Sequence, residues 1–229
     1  MTDVVGIGHR TAARLQNIGI SSMYSLAHAP VELLRKTMGV IGEQLYYHAN
    51  GIDYSRLSEK YIPLTKSFGK SQILERDYHD IAEVAIVIRE MAEEVAMRIR
   101  KEHAQTAVIH LSIGYSKHSI ERGFSHQIKL YPTDNNKQIA EAALHLFYKY
   151  IGREAVRTIA LSAGKITFKQ GTQLNLFEDA LQTLYEEQLE RTIDNIRDRY
   201  GFKSMMRASS LLEGGTAIAR ASLVGGHKG

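Results

Sequence analysis

The sequence predicts an α+β protein in which a small all-α unit precedes a βαββαβ unit and a C-terminal helix. Three patterns predict this fold class. Residues 1–54 hold short apolar helices separated by glycines, residues 66–170 alternate strand and helix periodicities, and residues 178–202 follow one long helical pattern. With 229 residues, the chain is long enough to bury two small hydrophobic cores.

The first unit is predicted to contain the order helix, glycine turn, helix twice. The two turns are Gly6-Ile7-Gly8 and Gly39-Val40-Ile41-Gly42. The first helix stops at Gly19, and Pro30 stands where a helix commonly begins. The predicted helices are 10–17, one capped by Ser21 or Ser22 that runs to Ala27, 31–37 and 43–50.

Residues 55–65 interrupt the periodicity and are predicted to be a linker. In the second unit the strand 105–116 alternates most clearly, with Ala107 and Ile109 on an apolar face and His110 and Ser112 on the other. The order βαββαβ is that of the split βαβ, or ferredoxin-like, arrangement. The predicted strands are 66–75, 105–116, 122–131 and 156–168, and the predicted helices are 79–102 and 137–152.

After the second unit, residues 171–177 are predicted to be an extended peptide and residues 178–202 a helix. Residues 203–229 are rich in Ser, Gly and Ala, so we expect a mostly disordered tail.

Composition limits the classes of function. The chain has no cysteine, which excludes disulfides and thiolate metal sites and favours a reducing, cytoplasmic location. No apolar run could span a bilayer and no signal peptide is visible, so no membrane partner is expected. The formal net charge is +4, and residues 66–170 carry that excess, with 16 Lys and Arg against 12 Asp and Glu. A polyanion partner is favoured, with the second unit as its main contact.

The turn Gly6-Ile7-Gly8 leads into a helix predicted to begin at about His9-Arg10. Two glycines allow a tight turn with outward N–H groups, and the N-terminus of the helix favours an anion. A helix-hairpin-helix element grips a DNA phosphate in this way, with His9 and Arg10 available for side-chain contacts. An ordinary turn between two helices is the alternative.

One face of the predicted sheet is rich in small residues, which allow another backbone to come close and offer hydroxyls for phosphate contacts. A solvated sheet face with scattered lysines is the alternative. The small and polar residues are Ser67, Gly69, Ser71, Ser112, Gly114, Ser116, Gly123, Ser125, Gln127, Ser162 and Gly164. The cations on or beside these strands are Lys66, Lys70, Arg76, Lys117, Arg122, Lys129 and Lys165.

The run Gln173-Leu174-Asn175-Leu176-Phe177 is too apolar for a free linker. An extended peptide with a polar anchor and apolar side chains suits a groove on a partner protein. Alternatively, Leu174 and Phe177 pack against the start of the next helix.

No self-sufficient active site is visible in the sequence. The ten histidines form no cluster of convergent metal ligands, so no metal site is predicted. Adjacent acids such as Glu93-Glu94 are predicted to be solvated charges on polar helix faces. No nucleotide-binding glycine loop and no G-x-S-x-G nucleophile motif is present.

Three motifs in this order resemble the Y-family translesion DNA polymerases of the UmuC/DinB type, over about residues 1–200. The run Val5-Gly6-Ile7-Gly8-His9-Arg10 is similar to the helix-hairpin-helix of their thumb, and Lys66-Ser67-Phe68-Gly69-Lys70-Ser71 to the start of their little finger. Gln173-Leu174-Asn175-Leu176-Phe177 resembles their sliding-clamp motif. The branch that this chain resembles is the ImpB/MucB/SamB group.

The resemblance implies that residues 1–54 are a thumb and residues 66–170 a little finger whose sheet contacts DNA backbones. It implies an error-prone parent polymerase that acts in DNA damage repair and SOS bypass, with magnesium held by a palm. The palm motif Ser-x-Asp-Glu is absent from this sequence. We therefore expect an inactive, monomeric fragment without cofactors that binds primer-template duplex without reading its sequence, and that docks on the sliding clamp.

Two other hypotheses are open at this point. The chain could be a stand-alone, non-catalytic DNA-binding or clamp-binding protein. It could also be a ferredoxin-like ligand-binding or regulatory module unrelated to DNA, which predicts no salt-dependent DNA binding and gives the small-residue face no role.

Overall fold

The computed structural model describes residues 1–56, 58, 66–169 and 180–222. The chain divides into two compact units, residues 1–62 and 63–229. The division falls inside the segment predicted to be a linker. No helix in the described ranges is long and apolar enough to cross a membrane.

The first unit is made of four short helices around a small apolar core. The helices are α1 (His9–Gln16), α2 (Met23–Ala27), α3 (Val31–Met38) and α4 (Val40–Ala49). Ser22 begins α2 as predicted, because its hydroxyl accepts a hydrogen bond from the Ser25 amide while Ser25 reciprocates in a capping box. The core residues are Ile7, Ala12, Leu15, Ile20, Leu26, Leu34 and Leu45.

The second glycine turn is shorter than predicted. Only Gly39 forms it, with a φ of 69°, and α4 begins at the next residue. Gly42 lies within α4, where a Cβ would stand 2.3 Å from the Leu34 carbonyl oxygen. Gly42 therefore allows α3 and α4 to pack closely, and the prediction of a four-residue turn at 39–42 was wrong.

The second unit contains the predicted order βαββαβ. Its elements are β1 (Phe68–Tyr78), α5 (Ile81–Lys101), β2 (Ala104–Tyr115), β3 (Gly123–Thr133), α6 (Asn136–Tyr150) and β4 (Val156–Phe168). The four strands form an antiparallel sheet in the order β1-β4-β2-β3. Strand β4 separates β1 from β2, and β2 separates β3 from β4, so both crossover units are split. The interior strands are β2 and β4, whereas the ferredoxin-like order has its first and third strands inside, and that part of the prediction was wrong.

Both α5 and α6 pack on one face of this sheet. Ile88, Met91 and Val95 of α5 and Phe147 of α6 are buried against Leu111 of β2 in a continuous core. Ala107 was predicted on this face, but it is only half-buried. The register of β2 against β3 shifts between Thr106 and Val108, so Thr106 takes the buried position instead.

The C-terminal segment packs on the second unit and is largely ordered. Helix α7 (Ala180–Tyr200) agrees with the predicted helix within the described residues. Two short 3₁₀ turns, Phe202–Ser204 and Ala208–Leu211, and a final helix α8 (Ala217–Arg220) follow it. The expectation of a disordered tail was therefore wrong for residues 203–222, and residues 223–229 lie outside the described part.

A row of buried carboxylates on α5 holds this segment. Glu90, Glu93 and Glu94 are at most 8% exposed. Arg220 contacts Glu94 at 2.7 Å and Glu90 at 3.2 Å, and Arg197 contacts Glu93 at 3.3 Å. The prediction that Glu93-Glu94 is solvated charge was wrong, because arginines that are distant in sequence cover this face of α5.

The pair between Glu94 and its cations makes stability depend on pH. Burial alone would raise the pKa of the Glu94 carboxyl, but Arg220 and Lys70 outweigh burial and hold that pKa below its ordinary value. A carboxyl whose pKa is lowered by folding stabilises the protein above its unfolded pKa, and this contribution is lost as pH falls through the folded pKa.

We predict that Glu94→Gln lowers the free energy of unfolding by about 3 kcal/mol at pH 7, because it leaves buried Arg220 short of a charged partner. The deficit relative to the wild type should shrink as pH falls below about 4.5, the ordinary pKa of a Glu carboxyl. Urea unfolding at several pH values measures it.

The matched control is Glu102→Gln, since Glu102 makes an exposed pair with Lys66. Glu102→Gln should change the free energy of unfolding by less than about 1 kcal/mol both at about pH 4 and at about pH 7. A Glu94→Gln deficit of the same size at pH 4 and pH 7 would contradict the assigned role of the ion pair.

Candidate nucleic-acid interface

The face of the sheet opposite α5 and α6 is a surface of small residues in register across four strands. Gly69 pairs with Ser162, Ser162 with His110, and His110 with Gln127. The next row is Ser71, Ala160, Ser112 and Ser125. These residues are exposed or half-buried. We call this surface the open face.

The glycines of the open face differ in what the fold requires of them. Gly123 has a φ of 108°, and a Cβ there would stand 1.9 Å from the Ile113 carbonyl oxygen. A Cβ on Gly114 would meet the Thr158 hydroxyl at 2.1 Å. At Gly164 nothing lies within 4 Å of an added Cβ, so internal packing does not explain this glycine. Gly164 leaves space for an approaching backbone.

Four predicted cations are exposed on or beside the open face and form no ion pair with a described residue: Lys117, Arg122, Lys129 and Lys165. Lys129 pairs with Val108 across β2 and β3, and Lys165 follows Gly164 with a φ of 49°. Lys117 and Arg122 flank the turn between β2 and β3. Their positive charge is therefore available to an anion.

Lys70 is not part of this surface, although the sequence placed it among the DNA contacts. It alternates with exposed Gly69 and Ser71, so its side chain lies on the helix side of the sheet. Its Nζ is 2.9 Å from a carboxylate oxygen of Glu94. Arg76 is likewise paired with Glu83 of α5. Lys66 is half-exposed and lies 3.6 Å from Glu102.

Two of the predicted serines have hydrogen-bond partners within the protein. The Ser116 hydroxyl binds the Asp77 carboxylate, and this bond lowers the pKa of Asp77, with a smaller contribution from Arg157. Ser125 lies 2.8 Å from Nε2 of His110. Ser67 is exposed immediately before β1.

His110 was not among the predicted DNA contacts, yet the register places it in an interior strand of the open face. It is half-buried, opposite Ser162 of β4 and two residues before Ser112 on the same face of β2. The alternation of β2 already placed His110 on the polar face with Ser112, but only the small residues and the cations of that face were counted as DNA contacts.

In the first unit, Gly6-Ile7-Gly8 leads into α1, which begins at His9, but no helix precedes this turn among the described residues. Gly6 has a φ of 89°, and no side chain caps the first turn of α1 at Gly8. His9 and Arg10 are exposed, and the first amides of α1 have no partner within the helix. Ile7 was predicted to contact DNA, but its side chain lies in the core with 2% exposed, and its amide donates a hydrogen bond to the Val4 carbonyl.

The predicted clamp-binding residues Gln173, Leu174, Leu176 and Phe177 lie outside the described residues. Within the described ranges, no group of three or more His, Cys, Asp or Glu side chains is placed to hold a metal ion. The open face offers hydroxyls and cations, which are groups that can bind a phosphate backbone.

Comparison with known proteins identifies relatives. The model of the impB/mucB/samB family C-terminal domain matches residues 65–176. UvrX of Bacillus subtilis (strain 168), which its name assigns to UV-damage repair, is 42% identical over 225 residues, or 97% of this chain and 53% of UvrX. DNA polymerase IV 2 of the same organism is 34% identical over 97% of this chain and 54% of its own length.

A third relative is the DNA repair protein homolog YobH, also of Bacillus subtilis (strain 168). It is 44% identical over 147 residues, which are 63% of this chain and 67% of YobH. The chain thus spans about half the length of UvrX and of DNA polymerase IV 2, and about two thirds of YobH.

Alanine substitutions of two glycines on this surface should have different effects on stability. Gly123→Ala should lower the free energy of unfolding by about 1–3 kcal/mol, since its backbone conformation excludes a side chain. Gly164→Ala should leave stability within about 1 kcal/mol of the wild type. Urea unfolding of both variants measures the difference, and equal losses would show that packing does explain Gly164.

Proposed function

The chain belongs to the impB/mucB/samB family of Y-family DNA polymerases, and from this membership we propose that it grips primer-template duplex by backbone contacts as the C-terminal, DNA-binding part of a translesion polymerase. The observation that carries the proposal is the open face. It combines small residues in register with four exposed cations that are not neutralised by a described carboxylate.

The chemistry of this face suits phosphates better than bases. Ser71, Ser112 and Ser162 are small and offer hydroxyls, which suit contacts that position a backbone without reading its sequence. Lys117, Arg122, Lys129 and Lys165 supply the charge that neutralises phosphates and releases counterions. Binding should therefore be independent of sequence and sensitive to salt.

The first unit supplies a second contact of the same kind. Gly6 and Gly8 let the chain turn into α1, whose uncapped amides favour an anion. His9 and Arg10 are exposed beside them. Ile7 anchors the hairpin from within the core rather than touching DNA. We assign this hairpin to a phosphate of the duplex.

The remaining parts of the proposal concern the longer parent. Residues 173–177 are assigned to docking on the sliding clamp, which would hold the polymerase at the primer end. The described residues do not offer the carboxylates that magnesium-dependent phosphoryl transfer requires, so no catalytic step is assigned to this chain. By itself it should bind DNA as a monomer and show no polymerase activity.

The salt dependence of binding to a fluorescent primer-template duplex tests the role of the open face. We predict that the triple variant Lys117→Ala/Lys129→Ala/Lys165→Ala binds more weakly than the wild type. Its slope of log K against log salt should be shallower by about 2.7, which is about 0.9 for each phosphate that is no longer neutralised. Fluorescence anisotropy from about 50 to 300 mM salt measures both.

The matched control removes three exposed lysines from the helix side, Lys101→Ala/Lys137→Ala/Lys149→Ala, and so lowers the net charge equally. It should leave the slope almost unchanged. Equal slopes for the two triple variants would contradict the open face as the DNA-binding surface. No binding by the wild type at low salt would contradict the whole proposal.

A further inference from the structure

Helix α7 packs on the rest of the second unit with its charged face, and the apolar residues in the first half of the helix are exposed. Outward-facing Leu184, Tyr185 and Leu189 are 46%, 63% and 46% exposed. At 3.6 residues per turn the three side chains fall within about 140° of one another on one side of α7, and we call this side the stripe. A surface helix normally buries such a stripe and exposes its charges. In α7 this arrangement is reversed.

The inward face of α7 consists of paired charges. Glu187 lies 2.9 Å from Lys169 at the end of β4. Asp194 lies 2.6 Å from Arg100 of α5, and Arg197 lies 3.3 Å from Glu93. These carboxylates and cations are largely buried, so rotation of α7 to bury the stripe would break every one of these pairs. The ion pairs therefore fix the helix with its apolar stripe toward solvent.

Exposed apolar stripes of this kind mark interaction surfaces, because each side chain would gain free energy when a partner removes it from water. The position of the stripe in the chain identifies the partner. Only two residues separate Phe177, the last residue of the proposed clamp-binding peptide, from Ala180, where α7 begins. Three residue steps span at most about 11 Å.

The segment that contains the peptide is also tied down at its other end. Lys169, which precedes it, donates its amide to the His103 carbonyl and pairs with both Asp134 and Glu187. Both ends of residues 170–179 are thus held on the second unit, near α7. A protein that takes up the peptide must come within reach of the stripe.

We propose that the stripe of Leu184, Tyr185 and Leu189 is a second contact with the sliding clamp, on an apolar surface beside the groove that takes residues 173–177. This inference rests on the proposed clamp docking. Because ion pairs attach α7 to the rest of the second unit, the second contact fixes the orientation of the DNA-binding unit on the clamp.

The test is binding of the full chain to the purified bacterial sliding clamp, measured by titration calorimetry. The stripe variant is Tyr185→Ser/Leu189→Ser, the peptide variant is Leu174→Ala/Phe177→Ala, and the control is Asn195→Ser/Arg199→Ser at exposed polar positions of α7. Both α7 variants change exposed positions only, so their melting temperatures should match that of the wild type.

We expect the peptide variant to show no detectable binding, the stripe variant to bind about tenfold more weakly, and the control to bind as the wild type does. A stripe variant with wild-type affinity, beside a peptide variant that does not bind, would overturn this inference and leave clamp docking intact. No binding by the wild type would instead refute clamp docking itself. Dimers in light scattering that only the stripe variant abolishes would assign the stripe to a second copy of the chain and overturn the inference.

Discussion

The one-sided packing of the sheet is the constraint on which the rest of the second unit depends. Helices α5 and α6 bury one face, so Ile109, Leu111 and Ile113 of β2 must point toward them and His110, Ser112 and Gly114 must point away. The pairing register then extends this division to all four strands. The proposed DNA-binding surface is therefore the face of the sheet that α5 and α6 do not cover, and not a loop added to the fold.

The two sides of the second unit differ in whether their cations are paired with carboxylates. On the helix side, Lys70, Arg100 and Arg220 are neutralised by carboxylates of α5 and α7. The Arg100 and Arg220 pairs attach the C-terminal segment to α5. The charged residues of α7 that form ion pairs occupy its inward face, so Leu184, Tyr185 and Leu189 remain outside. On the open face, cations such as Lys129 and Lys165 have no such partners among the described residues. The formal charge of +4 understates the positive charge available to a ligand there.

Local patterns in the sequence predicted the elements well and their partners poorly. The bounds of β4 and the cap at Ser22 follow from periodicity and from the first-turn hydrogen bonds of a helix. Lys70 was misplaced because a charge count ignores the alternation of a strand. Glu93 and Glu94 were assigned to solvent because their arginine partners are more than 100 residues away. A short stretch of sequence predicts neither the strand order of the sheet nor the exposure of the apolar residues of α7, because both depend on tertiary contacts.

The most direct test of the open face as a DNA-binding surface is a map of the amides that change when the chain binds DNA. Nuclear magnetic resonance of the ¹⁵N-labelled protein, titrated with primer-template duplex, reports each amide separately. We predict that the largest shifts occur at Ser71, Ser112, Ser125 and Gly164 on the open face, and at His9 and Arg10 of the hairpin. Shifts concentrated on α5 and α6, with the open face unchanged, would contradict this assignment.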